Sequence, residues 1–181
     1  MIRPEFRKIL LDQRGAVVIL WSCFVISIPI YILIARHVLE NTNFGANRSF
    51  AQMVRIVLWV LTAIDLGYYA YWRKRHMSSE SILRSARSTK LFRALEEFNG
   101  TVEERAAYVV STYVTRKVVL FAIIEAIAVY GFVLAIIGRL LFGLYLLSTL
   151  SLVLLVIEFP WVNSVAALVR SVEQTPSETA G

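Results

Sequence analysis

Between Gly15 and Ala35 the chain runs for 21 residues without a charged side chain. At about 1.5 Å of rise per residue, roughly 20 apolar residues cross a hydrocarbon core of about 30 Å. Three further blocks are also long and apolar enough to span: Ser49 to Trp72, with Arg55 and Asp65 inside it, Lys117 to Gly138, with Glu125 inside it, and Leu140 to Pro160, free of charge until Glu158. The bilayer centre offers no water to the backbone, so each block must satisfy its own peptide groups and reads as a helix. The predicted fold class is therefore all-α, a polytopic membrane protein with four transmembrane helices. Block one follows the basic segment Met1 to Arg14, as a signal peptide would. Its apolar run is too long for that, and no small-x-small cleavage pattern follows, so it reads as a retained anchor. Pro29 inside it predicts a kink or a freed carbonyl.

Composition agrees. Hydrophobic residues make up 57% of the 181 and charged residues 18%, against about a quarter charged in soluble domains. The excess lies in the four blocks, which excludes a soluble globular domain and a disordered chain. A lone cysteine, Cys23, excludes a disulfide scaffold.

Orientation follows from lysine and arginine, which mark the cytoplasmic side. Fifteen of them lie in the N-terminal segment, the stretch between blocks two and three, and the tail; only Arg36, Arg48 and Arg139 lie opposite. Both termini are thus expected in the cytoplasm, with the chain in a cell inner (plasma) membrane. The net charge of +6 is a topology signal, and no nucleic-acid partner is expected. The predicted organisation is a cytoplasmic segment 1–14, a first transmembrane hairpin 15–72, a cytoplasmic helical segment 73–116, a second hairpin 117–161, and a tail 162–181. Arg73, Lys74 and Arg75 directly follow Tyr69, Tyr71 and Trp72. This basic run is a candidate contact for anionic lipid headgroups, worth about 1 kcal/mol per residue; its plainer role is that of a stop-transfer anchor.

The 73–116 segment reads as a helical hairpin. From Ser81, the residues Ile82, Ala86, Leu91, Leu95 and Phe98 recur near helical spacing. Asn99-Gly100 ends that pattern, and Thr101-Val102-Glu103-Glu104 forms a capping box for a second helix. Ala107, Val110 and Val114 are expected on its packed face, and the helix should run unbroken into block three. Such a hairpin can dock a partner, or pack on itself and the headgroups.

No catalytic motif is present: the chain has no P-loop, GxSxG, CxxC or HExxH pattern. No clustered metal ligands occur, and His37 and His76, at the ends of blocks one and two and so on opposite sides of the membrane, could not share a haem. No enzymatic activity, metal or cofactor is expected. The informative residues are the charges inside the blocks, which are costly at depth. Arg55 can snorkel outward. Asp65 and Glu125 fall about 5 Å and about 4 Å to the cytoplasmic side of their block centres, by the helical rise. At such depth an acid is protonated, binds a cation, or fastens helices by hydrogen bonds. Ser22, Ser27, Ser148, Thr149 and Ser151 extend this to a possible polar layer across the middle.

The stretch Glu125-Ala126-Ile127-Ala128-Val129-Tyr130-Gly131-Phe132-Val133-Leu134-Ala135 resembles the ion-carrying helix of rotary ATP synthase c subunits, which shows a pattern like E-A-L-T-I-Y-G-L-V-V-A. The resemblance covers this one helix; the family's glycine-rich companion helix has no counterpart in blocks one or two. It implies that Glu125 binds H⁺ or Na⁺ and that Tyr130 steadies the locked carboxyl. Gly131 and Ala135 make a small-xxx-small face for helix packing. Two functions follow as expectations: a non-enzymatic accessory subunit of a larger membrane assembly, partnered by lipids and by other subunits or further copies, or a c-subunit-like proteolipid moving H⁺ or Na⁺ through Glu125. An oligomeric small-molecule or lipid transporter is a third, weaker expectation.

Overall fold

The computed structural model describes residues 4–41, 47–87, 89, 102–161, 166–167 and 170. Among these residues there are five helices and no strand. They are α1 (Pro4–Asn41), α2 (Arg48–His76), α3 (Ser79–Arg87), α4 (Val102–Gly138) and α5 (Leu141–Ile157). Three stretches are long and apolar enough to cross a membrane: Gly15–Asn41, Arg48–His76 and Glu104–Gly138. The fourth apolar block forms the 17-residue α5, about 26 Å long. Pro29 lies within α1 and does not end it.

The chain divides into two compact units. One comprises Met1–Ile19, Trp72–Val118 and Pro160–Gly181, the other Leu20–Tyr71 and Val119–Phe159.

In the first unit, α2 gives way at Met77 and Ser78 to α3. The Ser78 hydroxyl accepts the Ser81 N–H at 3.2 Å, capping the first turn of α3. This places the helix start two residues ahead of the expected Ser81. Ile82 and Ala86 of α3 pack against Ala106, Val109, Val110 and Tyr113 of α4. The expected face of Ala107, Val110 and Val114 is thus rotated, with Ala107 and Val114 only partly buried. Leu91, Leu95, Phe98, the Asn99-Gly100 stop and the Thr101 cap lie outside the described residues. Arg116 donates to the His76 carbonyl and, at 3.2 Å, to the Ser81 hydroxyl. A cation on the last carbonyls of α2 complements that helix end.

α4 is unbroken from Val102 to Gly138, as the sequence leads one to expect. Ala106, Tyr113, Leu120, Ile127 and Leu134 are buried at intervals of seven, interleaved with buried Val110, Lys117, Ile124 and Gly131. This alternation of three- and four-residue steps is the seam of left-handed helix packing. In the most apolar 18 residues of α4 44% are buried, against 11% in the corresponding stretches of α1 and α2.

In the second unit, α4 and α5 are joined by Arg139 and Leu140, with Arg139 at a positive φ of 52°. The two helices run antiparallel. A Cβ on Gly131 would stand 3.1 Å from Leu147 Cβ and 3.3 Å from the Leu144 backbone, so any larger residue needs α5 to give by a few tenths of an ångström. Leu58 of α2 joins Ile127, Leu134 and Leu147 in one apolar cluster, and Ala35 of α1 joins Ala135 and Leu144 in another.

Candidate functional site: tyrosine–carboxylate pairs within the helices

In the second unit Asp65, Glu125 and Glu158 each accept a tyrosine hydroxyl from another part of the chain. Tyr31 of α1 donates to Glu125 Oε1 at 2.8 Å. Tyr130 of α4 donates to Asp65 Oδ2 at 2.8 Å. Tyr69 of α2 donates to Glu158 Oε1, just past α5, at 2.9 Å. Hydroxyl-to-carboxylate bonds of this length are well formed. Away from water, each bond offsets part of the cost of burying the hydroxyl and the acid.

Two further bonds cross between helices. Ser151 of α5 donates to the Ile124 carbonyl of α4 at 2.9 Å. The Trp21 indole N–H donates to the Leu155 carbonyl at 2.8 Å, and the same ring meets Phe159 edge-on at 5.0 Å. In the second unit α4 therefore holds α1 through Glu125, α2 through Tyr130 and α5 through the Ile124 carbonyl.

The hydrogen bonds present here differ from the Tyr130–Glu125 pairing that the resemblance implies. Residues five apart on a helix are turned by about 140° from each other. Glu125 follows the seam residue Ile124 and Tyr130 precedes the seam residue Gly131, so the two lie on opposite flanks of α4. Tyr130 serves Asp65, and the hydroxyl on Glu125 comes from Tyr31. The expected polar layer also divides. Ser151 bridges helices, while Ser27 bonds back to the Phe24 carbonyl at 2.8 Å within α1. Thr149 is exposed, and Ser148 is 2% exposed with no hydrogen-bond partner for its hydroxyl.

Gly131 and Ala135 both lie at helix contacts. Arg73, Lys74 and Arg75 are exposed in the last turn of α2. Sequence reasoning missed Tyr31, Tyr69, Trp21 and Glu158. The available signal was polar-tipped aromatic residues inside apolar blocks, which need a partner when buried. Among the described residues, no group of three or more His, Cys, Asp or Glu could hold a metal ion.

Comparison of the chain with family models, with curated proteins and with solved structures returns no match.

Proposed function

We propose that this chain is a non-enzymatic helical subunit of a larger membrane assembly, crossing the bilayer four times with both termini in the cytoplasm. The tyrosine–carboxylate bonds fasten its helices, which gives the intramembrane acids a structural duty. α5 is the fourth span; its length of about 26 Å falls short of a 30 Å core by an amount that tilt and local thinning absorb.

The observation that supports a subunit role is the outward side of α2. Ala63, Gly67 and Ala70 are exposed there at intervals of four and three, and a Cβ on Gly67 would meet nothing within 4 Å. Exposed Trp59, Val60 and Tyr71 flank them. Small residues in such a row let a second transmembrane helix approach closely, so this side fits a helix of another subunit or of a second copy.

The test is mild-detergent purification after crosslinking in the native membrane. Wild-type protein is expected to arrive with a partner helix attached, and Gly67→Leu to arrive without it at an unchanged melting temperature. Arrival of both proteins as monomers contradicts the reading.

One observation favours a second reading. Glu125 is partly exposed and holds a single cross-helix hydroxyl, that of Tyr31. A c-subunit-like carrier would cycle H⁺ or Na⁺ on this carboxyl with Tyr31 in the steadying role.

A further inference from the structure

A cleft of about 550 Å³ lies in the first unit, where α2, α3 and α4 come together. Its lining includes Arg75, His76, Ser78, Ser81, Arg84 and Arg116. With Ser85, three guanidinium groups and three hydroxyls thus border one space. Glu80 also lines it and pairs with Arg84 at 3.3 Å, with both side chains more than four-fifths exposed. An exposed pair of this kind contributes little, and the arginine fork can turn to a stronger anion. Arg116 is held by the His76 carbonyl and the Ser81 hydroxyl, which fixes one donor group in advance.

We infer that this cleft binds the phosphate diester of an anionic phospholipid. The chemistry points to a phosphate oxyanion: arginine forks match its geometry in bidentate fashion, and serine hydroxyls add donors. Depth favours a lipid as its source. Arg75 follows Trp72, the last apolar residue of block two, by about 4.5 Å of helix rise, and Arg116 immediately precedes block three. The headgroup layer occupies about 5–7 Å beyond the hydrocarbon on each side. A phospholipid phosphate is already held at this level, whereas free phosphate must be taken from solution. The inference rests on the transmembrane placement of α2 and α4 proposed above but not on the subunit role, since a monomer would bind the lipid equally.

The test uses full-length protein in neutral detergent, stripped of lipid. It is titrated with short-chain phosphatidylglycerol, short-chain phosphatidylcholine or inorganic phosphate, and bound molecules are counted by native mass spectrometry. One phosphatidylglycerol per chain is expected, ahead of both competitors. Arg84→Gln should weaken it by about tenfold, the loss of one charge-assisted hydrogen bond. Arg170→Gln, which removes the same charge at an exposed position outside the cleft, should leave it unchanged. Because Arg116 also joins helix ends, Arg116→Lys is read beside a melting curve: weaker binding at unchanged melting supports the cleft. Tighter binding of inorganic phosphate than of phosphatidylglycerol overturns the lipid assignment. Equal losses in Arg84→Gln and Arg170→Gln, or no binding at all, overturn the site.

Discussion

Tyr130 donates its hydroxyl to Asp65 at 2.8 Å and so faces away from Glu125, five residues earlier on the same helix. The tyrosine that a c-subunit resemblance would assign to the Glu125 carboxyl instead ties α4 to α2, and Tyr31 on α1 ties α4 from its other flank. Two acids that look alike in the sequence fasten two different helices.

This separation makes the pairs independent. Tyr130→Phe should lower stability by roughly 0.6 kcal/mol, the average for a hydrogen bond between membrane helices. It should do so only while Asp65 is present. Adding Tyr130→Phe to Asp65→Ala should cost nothing more, whereas adding it to Glu125→Gln should cost the full amount. Unfolding of the five variants in a detergent titration checks this. Coupling of Tyr130 to Glu125 instead would contradict the pairing.

At Glu125 the shape of the substitute decides the outcome. Glu125→Gln keeps an acceptor for the Tyr31 hydroxyl and should be nearly silent. Glu125→Leu strands that hydroxyl and should cost about 1–3 kcal/mol. Adding Tyr31→Phe to Glu125→Leu should recover part of the loss, because the stranded donor is then gone. Thermal unfolding of the three proteins reads the order directly.

Two serines three residues apart on α5 should respond in opposite directions. Ser151 bridges to Ile124, so Ser151→Ala should destabilise by about 0.5–1.5 kcal/mol. The Ser148 hydroxyl is buried without a hydrogen-bond partner, so Ser148→Ala should be neutral or stabilising. Melting temperatures of the two variants check the sign.

At Gly131 the space is already taken by Leu144 and Leu147. Gly131→Ala should therefore force α4 and α5 apart, at about 1–3 kcal/mol. Denaturant unfolding measures that loss, and a stability equal to wild type would contradict the close approach.

The apolar blocks were legible because a bilayer permits few alternatives: a run of Gly15 to Ala35 without charge can only be a helix at that depth. The continuity of α4 was legible as well, since nothing between Glu104 and Gly138 interrupts it. Partner choice was not. The depth of Asp65 and Glu125 follows from residue counting, but which flank each faces depends on the packed seam of α4. That seam runs from Ala106 to Leu134 in steps of three and four and includes Lys117 and Gly131, which do not read as core residues in a hydrophobicity scan. The same rotation moved the packed face from Ala107 to Ala106 and Val109. Tyr69 read as part of the aromatic run ahead of Arg73, and nothing in the sequence singled out Tyr31; their hydroxyls reach Glu158 and Glu125.

The central claim is that the Glu125 carboxyl is a fastener held by Tyr31. Its most direct test is reaction with a hydrophobic carbodiimide in membranes, with and without Na⁺, alongside ion flux in proteoliposomes. The account predicts no flux above that of empty vesicles, labelling at Glu125 that Na⁺ leaves unchanged, and faster labelling in Tyr31→Phe as the hydrogen bond is lost. Labelling blocked by Na⁺, together with flux that Glu125→Gln abolishes, would contradict it and make Glu125 an ion carrier.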